Sequence, residues 1–330
     1  MLEAARIVVR LPNHLGDACM ALPALRLLQR AGRRPVLAGK PWAGELFAGC
    51  GWEVLPLPAQ RLPRLALLRQ RGGGGDGLLL TNSFSTALEF RLAGLRSTGY
   101  ATDGRRVLLR HALDVPAGPP PHMVVYYARL AAAAIRGGAP ADLPDLMPAI
   151  PAALDLPLAD APRERARHTL RAAGVDGAFC VLCPVAVGLH RGRVKAWAGF
   201  TALCETLARR GHRVVGCPGP GEHDAVARLL PGATILPTTD VATFAALLAA
   251  SRLVVANDSG PGHLAAAVGV PLVSIFGVTQ PDVTQPWGPN VTRVGDSDGW
   301  PDARVVERAV LYALESDRGQ ASPNATVSSA

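Results

Sequence analysis

The sequence predicts an α/β protein made of two Rossmann-like, doubly wound domains facing a cleft. Two observations carry this. Short apolar runs alternate with segments of helical periodicity, which signals βαβ units around a parallel sheet. The pattern also starts twice, at RIVVR (6–10) and again at AFCVLC (178–183), with a Pro/Ala-rich stretch at 140–162 between the two starts. At 330 residues the chain is long enough for each domain to bury its own core.

In the first half, strands are expected at 6–10, 35–38, 53–56, 77–80 and 97–101, and helices at 17–30, 84–92 and 123–135. The fourth strand follows a flexible Gly72–Gly75 run. A helix at 163–173 opens the second half. Its strands are expected at 178–183, 213–217, 233–236, 253–256 and 272–276, and its helices at 200–210, 222–230, 242–250, 261–268 and 302–314. This places a first domain at 1–160, a second at 161–315 and a disordered Ser/Asn/Ala tail at 316–330.

Composition narrows the class. Apolar residues make up 49% and aromatics only 5%, which suits packed helices and buried strands better than an aromatic-anchored sandwich. No run approaches the roughly 18 apolar residues of a membrane span. Residues 1–10 lead straight into a strand without an apolar segment and cleavage site, so a cytoplasmic protein is expected. Cys180 and Cys183 form a C-x-x-C inside an apolar run with no second pair, so they read as buried strand cysteines.

The net charge of +8 is uneven. Residues 1–155 hold 18 Lys+Arg against 11 Asp+Glu, and the remainder 16 against 15. Such a bias steers an acidic partner or simply aids solubility. A nucleic-acid partner is not expected, because aromatics are few and no basic stripe is interleaved with stacking residues.

Three segments carry candidate chemistry. In VVANDSGPGHLAAAVGVPLVSIFG (254–277) a buried strand runs into a Gly-rich turn and a helix opened by Pro261. Free amides of Ser259, Gly260 and Gly262, aided by the helix dipole, are placed to meet an anion. Asp258 would orient the loop or bond a sugar hydroxyl, and His263 would donate to phosphate; a merely capped turn is the plain alternative. In PVAVGLHRGRVKAW (184–197), His190, Arg191, Arg193 and Lys195 supply cationic donors after another strand. In RLPNHLGDACMALPALRLL (10–28), Asp17 lies near a helix start, where it serves either as an N-cap or as a general base. Asp296-Ser297-Asp298 has D-x-D spacing but sits in a late polar turn, and GCPGPGEH (216–223) has two prolines that remove amide donors. No metal site is expected from either.

Together, NHLGDACMALPAL (13–25), TNSFSTAL (81–88), RVKAWAGF (193–200) and NDSGPGHLAAA (257–267) resemble the ADP-heptose:lipopolysaccharide heptosyltransferases, glycosyltransferase family 9. Order and spacing match across about residues 5–290, and Asn82-Ser83-Phe84 with Gly99-Tyr100 is most similar to the heptosyltransferase II branch. The resemblance implies a GT-B fold and an inverting transfer without metal or other cofactor. It implies Asp17 as catalytic base, and Lys195, Asp258, Ser259, Gly260, Gly262 and His263 around an ADP-sugar donor. His14, Asn82 and Ser83 would meet an acidic lipid-linked saccharide acceptor, with electrostatic association at the inner face of the cytoplasmic membrane.

The chain departs from the family where Ala196 and Ala198 stand for a basic residue and a proline, and where Ala242, with Asp240 nearby, stands for an acidic residue toward the ribose. A transferase of another nucleotide sugar, a sugar-nucleotide epimerase and a non-catalytic nucleotide-sugar-binding protein are the alternatives.

Overall fold

The computed structural model describes residues 5–316 apart from Val187 and Arg191. The tail expected from 316 onward therefore lies, beyond Ser316 itself, outside the described residues, as does the Arg191 candidate. The chain divides into two compact units between Pro151 and Ala152, inside the stretch read as the connection.

The first unit is built on six parallel strands: β1 (Arg6–Arg10), β2 (Arg34–Gly39), β3 (Glu53–Pro56), β4 (Asp76–Leu79), β5 (Arg96–Tyr100) and β6 (His111–Leu113). Their order is β3-β2-β1-β4-β5-β6. Helices cover both faces, so Ile7, Val8 and Val9 of β1 are each at most 3% exposed and the strand reads as an unbroken apolar run. The second unit has β7 (Cys180–Cys183), a small antiparallel hairpin of β8 (Leu189–His190) and β9 (Arg193–Val194), then β10 (Val214–Gly216), β11 (Thr234–Ile235), β12 (Leu253–Asn257), β13 (Leu272–Ile275) and β14 (Val291–Val294). Its main sheet runs β11-β10-β7-β12-β13-β14, the same doubly wound order as the first. In each sheet the order reverses between its first and fourth strands, β1/β4 and β7/β12. Open parallel sheets bind ligands at that point, beyond the carboxyl ends of the strands.

Several elements differ from expectation. The helix expected over 17–30 is two, Leu15–Met20 and Leu22–Arg30, because Pro23 has no amide to continue the ladder. Gly72–Gly75 is a tight helix stop: Gly73 N donates to Arg69 O, Gly74 has φ +80°, and a Cβ on Gly72 would meet Val8 Cγ2 at 2.9 Å. The helix Arg61–Gly72 before it was not expected, because four arginines interrupt its apolar spacing. Strands β6 and β14 at the sheet edges and the β8–β9 hairpin are too short, or too polar, to show as apolar runs.

Candidate active site

In the first unit the loop after β1 is clamped by Arg10, whose guanidinium donates to Leu11 O (2.5 Å) and Asn13 Oδ1 (2.7 Å). The helix Leu15–Met20 then starts with His14 as N-cap, extended in φ and ψ, exposed and without a side-chain capping bond. Asp17 is therefore not the N-cap. It lies half-buried in the first turn, where the helix dipole favours a negative charge. Burial, and after it the Asp17 charge, push the Tyr127 hydroxyl well above its usual value.

The loop after β4 faces the same switch point. Asn82 is held at both ends, its Nδ2 donating to Tyr126 Oη (2.9 Å) and its Oδ1 accepting from Arg105 Nη2 (3.2 Å). Arg105 is fully buried and also donates to Tyr100 O (2.7 Å) and Thr81 O (2.5 Å). Ser83 is the N-cap of the helix Phe84–Leu92, its Oγ accepting from Thr86 N at 3.2 Å. Sequence reasoning did not single out Arg105, Tyr126 or Tyr127. Tyr126 and Tyr127 occupy apolar helical positions, and nothing in Asp103-Gly104-Arg105-Arg106 marks one arginine as buried.

In the second unit β12 ends on Asn257, which is fully buried. Its Oδ1 accepts from Trp197 N (2.9 Å) and its Nδ2 donates to Pro184 O (2.9 Å), so one amide ties together the loops after β7, β9 and β12. Trp197 is further fixed by Nε1 donating to Pro301 O (3.1 Å) and by an edge contact with Phe200. These bonds anchor the chain two residues from Lys195. Lys195 is half-buried and has no hydrogen-bond or ion-pair partner among the described residues.

The candidate donor loop is Asp258 and Ser259, followed by the helix Gly260–Val268. The Ser259 and Gly260 amides have no acceptor among the described residues, as expected. The Gly262 amide does not join them, because it donates to Ser259 O at 3.1 Å to close the first turn. Asp258 and His263 are buried, with His263 Nε2 3.7 Å from Asp258 Oδ1 and Thr284 Oγ1 donating to Asp258 Oδ2 at 3.2 Å. Three polar atoms here are buried and unpartnered: Asp258 Oδ1, His263 Nδ1 and Thr279 Oγ1.

Burial pushes the Asp258 carboxyl up, but His263, Thr279 and the Lys195 charge together outweigh it and hold the group below its usual value. A carboxyl lowered on folding adds stability that is present above the unfolded value near pH 3.9 and is lost as pH falls through the lower folded value. Asp258→Asn is expected to lose less stability than wild type between about pH 7 and about pH 3, measured by urea unfolding.

Other candidates have different jobs. Arg193 donates to Gly277 O (3.0 Å) and Ser297 O (3.2 Å), so it braces two turns instead of waiting for phosphate. The Asp296–Asp298 turn closes on itself through Asp298 N and Asp296 Oδ1 (2.8 Å). No group of three or more His, Cys, Asp or Glu suited to a metal exists among the described residues. Burial raises the Cys180 thiol to about 11 and the Cys183 thiol well above its usual value, as fits inert strand cysteines. Ala242 is fully buried, and Asp240 caps its own helix through Thr243 N (2.8 Å) while pairing with Arg165.

The family model described as glycosyltransferase family 9 (heptosyltransferase) matches residues 75–312, from just before β4 into the last helix, and includes the loop after β12. The chain belongs to glycosyltransferase family 9. Among family relatives, lipopolysaccharide heptosyltransferase 3 of Escherichia coli is 34% identical over 161 residues, covering 45% of this chain and 46% of that protein. Lipopolysaccharide heptosyltransferase 2 of Escherichia coli K12 is 26% identical over 308 residues, covering 85% of each. The match thus spans about half the length of the first relative and most of the second. The solved ADP-heptose lipopolysaccharide heptosyltransferase II of E. coli superposes with a TM-score of 0.77 at 22% identity, over 95% of this chain and all of that one. The shared fold is the GT-B fold of this family. No helix among the described residues is long and apolar enough to cross a membrane.

Proposed function

We propose that this family 9 protein transfers a heptose from ADP-heptose to a lipopolysaccharide inner-core acceptor, by single displacement with inversion and without a metal. The observation that carries the donor half is the loop Asp258–His263. It combines two unused amides at a helix N-terminus, an uncommitted lysine nearby and three orphaned buried polar atoms. Buried polar atoms are rarely left unpaired, and a polar ligand, or water in its place, satisfies them. Lys195 and the Ser259 and Gly260 amides would stabilise the negative charge that develops on the departing ADP. Asp17 would take the proton of the acceptor hydroxyl as its oxygen bonds to the anomeric carbon. The bond from that carbon to the diphosphate breaks in the same step, and ADP leaves with the electron pair. His14, on the loop after β1, and Asn82 and Ser83, on the loop after β4, would meet the acceptor. The excess of seven positive charges in residues 1–155 suits an acceptor and a membrane surface that are both anionic.

The test is purified protein with ADP-heptose and heptose-deficient lipopolysaccharide. Acceptor-dependent ADP release is expected. Turnover of ADP-heptose without acceptor would instead favour an epimerase or hydrolase on the same scaffold. Lys195→Met is expected to weaken ADP binding about 10-fold or more, read by calorimetry, because a charge-assisted contact to phosphate is worth about 1.5–3 kcal/mol. Unchanged ADP affinity would remove Lys195 from the donor site.

A further inference from the structure

We propose that Asn82 contacts sugar hydroxyls of the acceptor, and that Arg105 and Tyr126 are the positioning residues that hold its carboxamide for that contact. The inference rests on the reading of the loop after β4 as part of the acceptor site.

Asn82 is exposed, and a surface asparagine is satisfied by water alone. Here two buried side chains hold it. Its Oδ1 accepts from Arg105 Nη2 (3.2 Å) and its Nδ2 donates to Tyr126 Oη (2.9 Å). Arg105 is fully buried. Among the described residues its other hydrogen bonds go to the carbonyls of Tyr100 (2.7 Å), Thr81 (2.5 Å) and Ser83 (3.4 Å). None of these oxygens carries a charge. A buried guanidinium bonded only to neutral oxygens is costly, and an apolar side chain would fill the space more cheaply. The arginine instead grips the chain on both sides of Asn82. Thr102 Oγ1 completes the grip by donating to Asn82 O (3.1 Å). Tyr126 is fixed in turn, its ring stacked on Tyr100 at 4.1 Å and its carbonyl accepting from Tyr100 Oη (3.1 Å). Side chains that present a group to a substrate need such locked support.

The place and the chemistry both point to a sugar. Asn82 follows β4, which lies beside β1 where the strand order reverses, and open parallel sheets bind ligands there. Arginine only donates, so the atom it meets is the carboxamide oxygen, and the nitrogen faces Tyr126. Each end keeps one capacity, a second lone pair on Oδ1 and a second N–H on Nδ2. Sugar hydroxyls donate and accept, so they use both. A phosphate or carboxylate oxygen only accepts and uses the N–H alone.

The experiment compares Asn82→Ala, Arg105→Lys, Tyr126→Phe and the double variant Asn82→Ala/Arg105→Lys, using ADP-heptose and heptose-deficient lipopolysaccharide. Lysine keeps the charge of Arg105 but not the fork that reaches Asn82, Tyr100 and Thr81 together. Each single variant is expected to raise the acceptor KM about 5–10-fold, with kcat and ADP affinity within about two-fold of wild type. The Asn82→Ala defect is expected to be the same at low and high salt, because the lost contact is between neutral groups. The double variant is expected to be no worse than Asn82→Ala alone, because Arg105 acts through that carboxamide. A wild-type acceptor KM in Asn82→Ala would overturn the contact. An impaired Asn82→Ala beside a normal Tyr126→Phe would overturn the positioning role, and that comparison decides even if Arg105→Lys fails to fold. Additive defects in the double variant would place the action of Arg105 elsewhere. A defect that fades at high salt would replace the hydroxyls with an anionic group. Wild-type protein without acceptor-dependent ADP release would sink the underlying reading, and the proposal with it.

Discussion

Asp17→Asn is expected to reduce kcat by about 10²–10⁴-fold while leaving ADP affinity within a factor of two or so of wild type. The substitution keeps the size of the side chain and one hydrogen-bond-accepting oxygen, so the local packing survives. What disappears is the capacity to take a proton from the acceptor hydroxyl as it attacks. The proposed donor residues, Lys195 and Asp258–His263, all belong to the second unit and are untouched by the substitution. The signature is thus a kcat defect without a donor-binding defect, which separates a base from a residue that shapes the donor pocket. Asp17 is a first-turn residue whose dipole environment favours its charge. The same environment keeps its basicity modest, so the expected loss spans two decades instead of standing at its upper end. A loss confined to KM would mean that Asp17 positions the acceptor and that the proton goes to solvent.

The two ends of the site differ in how much of them could be read beforehand. The donor loop was legible because its chemistry is local. A buried run, Asn257-Asp258-Ser259-Gly260 and Pro261 together specify a strand, a sharp turn and a helix N-terminus within a few residues. The exception was the Gly262 amide, spent on the first helical turn, where the position of the cap decides which donors stay free. The acceptor side was less legible because its order is set at long range. Arg105 reaches Asn82 across 23 positions, and Tyr126 reaches Asn82 across 44. No spacing rule connects such residues; only the winding of the sheet brings them together. The same holds for Arg193, whose cationic loop context suggested phosphate but whose partners, Gly277 O and Ser297 O, lie 84 and 104 positions away. The alternation of strands and helices sufficed for the fold class, while the edge strands β6 and β14 escaped notice because a short, partly exposed strand needs little apolar sequence.

Asn257→Ala is expected to destabilise the second unit by about 2–5 kcal/mol, the largest stability effect anticipated for a single residue of the donor site. The side chain is fully buried and, among the described residues, is the one hydrogen-bond partner of two main-chain groups from other loops, Trp197 N–H and Pro184 C=O. Alanine leaves both without a partner in a place water does not reach, at about 1–3 kcal/mol each. Against a total stability of about 5–15 kcal/mol, that is a large fraction. The functional effect follows from geometry. Freed from Asn257, the segment carrying Lys195 no longer has a fixed relation to Asp258, so ADP affinity falls even though no phosphate contact is touched. Asn257→Asp sharpens the argument. A carboxylate accepts from Trp197 N–H but repels the Pro184 carbonyl, and it is buried, so both effects raise its folded pKa. Its destabilisation is expected to be large near neutral pH and to shrink as pH falls through that raised value, where the protonated acid donates as the amide did. Urea unfolding of both variants near pH 7 and pH 5 tests this. An Asn257→Ala cost below about 1 kcal/mol, or an Asn257→Asp deficit indifferent to pH, would show that the three loops are held together by packing and not by the amide.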